Sequence, residues 1–274
     1  MDKVVATPRD AVADIASGSV LAVGGFGLCG VPFQLIDALL EQGADELTTI
    51  SNNCGVDDQA LGVLLYAGRI RRTISSFVGG NAELARLYLS GELEVELTPQ
   101  GTLAERLRAG GTGIPAFYTP TGVGTLVAEG GIPVRYDAEG NVVQTSAPKE
   151  VRVFDGEQYV LETALTADFG LVRAAVGDRH GNLVFAQSAR NFNPLAGMAA
   201  RVTVAEVEEL VEPGELDPAD VHLPGVFVDR VVVVGGADKK IEKRTTRPRS
   251  QAQLDAPAAA GDEGPTDPTF GGRA

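Results

Sequence analysis

The sequence has little positive charge, few cysteines and histidines, and no long apolar run. Its 37 acidic residues face only 23 Lys and Arg, a formal charge of −14. That balance excludes a broad nucleic-acid or anionic-membrane surface, because both need clustered Lys and Arg; a local pocket for a small anion stays open. The two cysteines, Cys29 and Cys54, have no C-x-x-C spacing and no neighbouring histidine, so they suggest neither a zinc site nor a disulfide framework. No metal is expected, and a reducing, cytoplasmic setting fits. The longest apolar stretch, residues 20–33, is too short and glycine-rich for a membrane span, and residues 1–18 lack the apolar core of a signal peptide. His180 and His222 have no adjacent Ser or Cys nucleophile pattern and read as loop or surface residues.

What the chain does have is 44% hydrophobic residues over 274 positions, enough for one large α/β core. Thr7 and Pro8 read as the N-cap and first residue of a helix that ends by Gly18. "SVLAV" then reads as a strand, "PFQLIDALLEQG" as an amphipathic helix closed by Gly43, and "ELTTIS" as a second strand. The alternation continues through "DDQALGVLLYAG", "IRRTISSF", "NAELARLYLSG", "LEVELT" and "GTLAERLRAGG". This series predicts an α/β fold: an open, mostly parallel sheet with helices on both faces. From residue 133 strand-like pieces separated by turn dipeptides predict an antiparallel extension, and "RVTVAEV" and "VFVDRVVVV" read as late core strands. No internal repeat is apparent. After Gly235 apolar periodicity vanishes, which gives a domain over 1–234 and a tail over 235–274, expected to be disordered beyond about residue 250. The basic cluster from Lys239 to Arg249 is read as a solvated terminus in preference to an anion or RNA site.

The stretch "SVLAVGGFGLCGVPFQLIDALL" contains Gly25, Gly27 and Gly30 in G-x-G-x-x-G spacing. A dinucleotide-binding unit would start its helix near the second glycine and place an acid about 20 residues on. Both requirements fail. Pro32 would clash inside the first turns of such a helix and fits better at the start of one beginning near residue 32. The second strand ends in "TISNNCG", which offers Ser51, Asn52 and Asn53 in place of the acid. Glycine-loop amides and Asn side chains at the carboxyl ends of adjacent parallel strands make an uncharged donor set, suited to a carbonyl oxygen that becomes negative; the alternative is plain turn residues.

Six segments, "VGGFGLCGVP", "SNNCGVD", "LSGELEVELTPQGTLAERLRAGG", "GIPAFYTPTGVGTLV", "SARNFNPLAGMAA" and "LPGVFVDRVV", resemble the family I CoA-transferases in family order, and within them the A subunits of enzymes that act on 3-oxoacids. The resemblance covers about residues 5–234. It implies a ping-pong transfer of CoA from succinyl-CoA to a 3-oxoacid, acetoacetate first and 3-oxoadipate second, through a glutamyl-CoA thioester. CoA thioesters are then substrates, with no permanently bound cofactor. In this family the glutamate sits on the B subunit, so the resemblance implies a heterodimer or α2β2 heterotetramer.

The resemblance also assigns residues. Gln100, in "TPQGT", matches the position whose amide stabilises the oxyanion. Asn52 and Asn53 match an Asn pair that positions substrate and glutamate, and Gly24, Gly25, Gly27 and Gly30 match the family's glycine loop. Phe33, Cys54 and Val123 depart from the usual pattern, and Cys54 reads as a small buried hydrophobe more readily than as a reactive thiol. A non-catalytic ligand-binding module of the same fold and a dinucleotide oxidoreductase are the competing classes.

Overall fold

The computed structural model describes residues 1–236 and Lys240; the tail expected beyond residue 235 lies almost wholly outside the described residues. The N-terminal half alternates helix and strand: α1 (Pro8–Val12), β1 (Val20–Val23), α2 (Phe33–Gln42), β2 (Leu47–Asn53), α3 (Gly62–Tyr66), β3 (Ile70–Phe77), α4 (Ala82–Leu89), β4 (Glu94–Leu97) and α5 (Gln100–Gly111). Next come β5 (Ala116–Thr119), α6 (Leu126–Glu129), β6 (Pro133–Tyr136), β7 (Val142–Thr145), β8 (Val151–Phe154) and β9 (Glu157–Thr163). The chain then runs through β10 (Ala167–Asp178), β11 (Leu183–Val184), α7 (Asn193–Ala199), β12 (Ala200–Val211) and β13 (Arg230–Val233).

Local signals set many of these boundaries. Thr7 Oγ1 accepts the Asp10 N–H at 3.1 Å and caps α1, with Pro8 in the first turn. Helix α2 starts directly after Pro32 and stops at Gly43, whose φ of 93° no β-carbon-bearing residue adopts readily. The main sheet has the order β13-β12-β10-β1-β2-β3-β4, every neighbour on that path parallel, with β11 antiparallel beside β10. One apolar layer joins it to α1–α4 through Leu21, Leu35, Leu64 and Leu84; the other joins it to α5 and α7 through Ile50, Leu103, Leu107 and Ala196. The antiparallel strands expected after residue 133 are present, but as two small sheets of their own, β5-β9-β8 and β6-β7. The late strands fall at β12 and β13 as expected, whereas central β10 has no clear sequence signal. Its "ADFGLVRAAVGD" carries two glycines, an arginine and no simple alternation, because helices bury it on both faces.

Strand β12 also carries a buried acid. Glu206 is fully buried; its Oε2 accepts the Leu35 N–H of α2 at 3.1 Å, and Oε1 lies 3.6 Å from Arg173 Nη1. Burial is the largest influence and lifts this carboxyl to about 7, against the opposing pull of the Leu35 amide and Arg173. An unfolded Glu titrates at 4.5, so between that pH and about 7 the folded state keeps a proton the unfolded state has lost. The stability from this group is therefore complete below the unfolded pKa and is lost as pH rises through the folded one. Glu206→Gln should remove that slope. In urea melts its stability relative to the parent should improve by roughly 2–3 kcal/mol between pH 5 and 8. A difference constant across that range would mean Glu206 is ionised throughout.

Candidate active site

Parallel strands place their carboxyl ends side by side, and the sequence-selected residues collect there. Gly24 to Gly30 follow β1, Asn52 and Asn53 end β2, and Gln100 opens α5 directly after β4. Gln100 is the first residue of the helix, exposed and anchored on its inner side. Its Nε2 donates to Asn52 Oδ1 at 2.6 Å. Asn52 Nδ2 donates to Asn53 Oδ1 at 3.2 Å, and the same Oδ1 accepts the Gly27 N–H at 3.0 Å. One hydrogen-bonded chain thus joins glycine loop, Asn pair and Gln100. All its groups are neutral, and among the described residues no carboxylate bonds to Gln100, Asn52 or Asn53.

The glycines answer to their own chain. A β-carbon on Gly24 would lie 1.9 Å from Asn193 Oδ1, and one on Gly30 would lie 2.9 Å from the Ala189 carbonyl oxygen. Gly25 is packed against Val31, and Gly25, Gly27 and Gly30 have φ of 119°, 57° and 72°. Asn193, fully buried at the start of α7, ties this loop down. Its Nδ2 donates to the carbonyls of Gly30 (2.9 Å) and Ala189 (2.8 Å), and its Oδ1 accepts the Arg173 N–H (2.9 Å). Although no repeat shows in the sequence, the loop after β2 copies this conformation. Gly55, Asp57 and Ala60 have φ of 74°, 34° and 54°, and Val56 bridges to Gln59 as Phe26 does to Cys29.

Two residues escaped the sequence reading. Asn193 lay inside a quoted segment, but nothing local marks it as the anchor of a loop 163 positions away. Ser76, near the end of β3, donates to both the carbonyl oxygen and Oδ1 of Asn52 at 3.0 Å, yet in "IRRTISSF" it looks like an ordinary strand residue.

Helix α5 is held by charge as well as packing. Arg106 donates to Glu96 Oε1 (2.8 Å) and to the Thr163 carbonyl (2.8 Å). Burial, the largest influence on Glu96, raises its pKa, but Arg106 and Arg72 together outweigh it and hold the carboxyl below the ordinary range.

The groups that looked reactive in isolation are structural. Cys54 is buried beside Thr49, and burial lifts its thiol to about 11. His222 Nδ1 accepts the Phe185 N–H at 2.9 Å. Phe26, on the loop after β1, and Phe77, at the end of β3, are 50% and 58% exposed. No helix among the described residues is long and apolar enough to cross a membrane.

The Coenzyme A transferase family profile matches residues 5–234, which contain every residue of this site. The chain belongs to the coenzyme A transferase family. A Mycobacterium tuberculosis protein, named as the A subunit of a probable succinyl-CoA:3-ketoacid coenzyme A transferase, is 66% identical over 247 residues, covering 90% of this chain and 100% of that protein. The human mitochondrial succinyl-CoA:3-ketoacid coenzyme A transferase 2 is 53% identical over 243 residues, 89% of this chain but 47% of that protein. The chain therefore spans about half the length of this mammalian relative. An acyl-CoA transferase apoenzyme from Escherichia coli O157:H7 superposes with a TM-score of 0.73 at 24% identity, over 85% of this chain and 47% of that one, which supports the fold.

Proposed function

We propose that this chain is the A subunit of a CoA-transferase that moves CoA from succinyl-CoA to a 3-oxoacid, acetoacetate first, and that its active site is completed by a glutamate of the B subunit. The observation that carries this reading is the neutral donor set: Gln100, Asn52 and Asn53 joined by hydrogen bonds, with no carboxylate bonded to them among the described residues. The names of the relatives support the substrate class, and the doubled length of the human one supports a second half. The exposed rings of Phe26 and Phe77 suit a covering partner.

In the proposed reaction the partner's glutamate carboxylate attacks the thioester carbonyl of succinyl-CoA. The carbonyl oxygen becomes negative, CoA thiolate leaves, and a mixed anhydride remains. The thiolate then attacks the glutamyl carbonyl, succinate departs, and the glutamyl-CoA thioester awaits the 3-oxoacid, which reverses the sequence. CoA is a substrate throughout, and no resident cofactor is required. Gln100 donates its free N–H to the developing oxyanion. A neutral amide suits this task, since a cation there would pair with the attacking carboxylate and hold it back.

Mixing the purified chain with its partner should produce CoA transfer from succinyl-CoA to acetoacetate, while either chain alone should be inactive. Parallel assays with 3-oxoadipate rank the acceptors. Full transfer by this chain alone would overturn the shared-site reading.

A further inference from the structure

The hydrogen bonds around Gln100 run in one direction. Asn53 Oδ1 accepts the Gly27 backbone N–H at 3.0 Å, while Asn53 Nδ2 donates to the Gly55 carbonyl at 3.3 Å. A backbone N–H can only donate and a carbonyl can only accept. These two ends admit one orientation of the Asn53 amide, even though the two arms of an amide have nearly the same shape. Asn53 Oδ1 in turn calls for a donor from Asn52, and Asn52 Nδ2 supplies it at 3.2 Å. Turning Asn52 over would set two amide oxygens against each other, with no rotation further along to relieve the clash.

Asn52 Oδ1 is thereby left facing Ser76 Oγ at 3.0 Å and Gln100 Nε2 at 2.6 Å. Gln100 must present its NH2 group to that oxygen. One N–H is spent on Asn52, and the second makes no hydrogen bond within the described residues. A reversed Gln100 would set its carbonyl oxygen against Asn52 Oδ1 and lose this bond.

We propose that Asn53 and Ser76 are positioning residues that hold the Gln100 amide with its NH2 group turned into the site, the direction being set by the Gly27 N–H and the Gly55 carbonyl. This rests on the proposed role of Gln100 in the transfer. Ser76 acts through Asn52: its hydroxyl is shared between the Asn52 carbonyl and Oδ1, so it fixes both the backbone and the amide of the residue that Gln100 leans on.

The test is steady-state transfer from succinyl-CoA to acetoacetate by the assembled heteromer. Ser76→Ala should lower kcat about tenfold, the scale of one net hydrogen bond, with KM within about twofold of the parent. Ser76→Thr keeps the hydroxyl and should stay within about threefold of the parent, whereas Ser76→Val, the same shape without it, should match Ser76→Ala. The double variant Ser76→Ala/Gln100→Ala should be no slower than Gln100→Ala, because both act through one amide. Equal kcat for the Thr and Val variants, or multiplicative losses in the double variant, would overturn the relay. If Gln100→Ala is slow while Ser76→Ala is not, only the relay fails. If Gln100→Ala is itself unimpaired, the role of Gln100 fails and the relay with it.

Discussion

Gln100→Ala is expected to lower kcat by about 10²- to 10³-fold, or roughly 2.7–4 kcal/mol, the range for losing one oxyanion donor. The side chain is exposed at the start of α5, so folding and assembly should hardly change. Gln100→Glu should be at least as damaging. It puts a negative charge where negative charge must accumulate, and it sets a carboxylate oxygen against Asn52 Oδ1, which now accepts from Gln100 at 2.6 Å. Steady-state kinetics on the variant heteromer give the loss, and borohydride trapping of the glutamyl-CoA thioester separates the two half-reactions. A kcat within about threefold of the parent in an intact complex would make Gln100 structural.

Gly24→Ala should cost about 3 kcal/mol of stability and lower the melting temperature by roughly 10 °C. The new methyl group would sit 1.9 Å from Asn193 Oδ1 and 3.0 Å from the Asn193 Cα, so rotating the Asn193 side chain cannot clear it. Asn193 must move, and with it go its bonds to Gly30, Ala189 and Arg173, all made inside the protein. Gly101→Ala is the control. Nothing lies within 4 Å of its added carbon, and the residue is already helical, so alanine should stabilise by about 0.4–1 kcal/mol. Thermal melts of the two variants beside the parent decide the matter, and equal melting temperatures would place the glycine requirement elsewhere than in packing on Asn193.

Much of the site was legible in the chain because its signals are local. Pro32, with the missing acid, spoke against a dinucleotide helix starting at the second glycine, and the helix does start after Pro32. Asn52 and Asn53 stood where β2 had to end, and Gln100 where the next helix had to begin. What each residue touches was not legible. Gln100 meets Asn52 across 48 positions, Ser76 meets it across 24, and Asn193 reaches Gly30 across 163. The glycine loop shows the difference most clearly: its spacing resembled a ligand cradle, yet Gly24, Gly25 and Gly30 are required by Asn193, Val31 and Ala189 of the same chain.

The sequence by itself determined the alternation of strands and helices, the caps and stops at Thr7, Pro32 and Gly43, and the uncharged character of the strand-end residues. Each depends on neighbours within a turn or two, where backbone sterics and hydrogen-bond geometry act directly. The tertiary structure decided that β10 enters beside β1 with β12 on its far side, that the antiparallel strands form separate small sheets, and that the Asn pair orients Gln100. Those outcomes depend on which strand edges and side chains meet after the two apolar layers close over the sheet, and pairing across a sheet leaves no periodic trace in the chain.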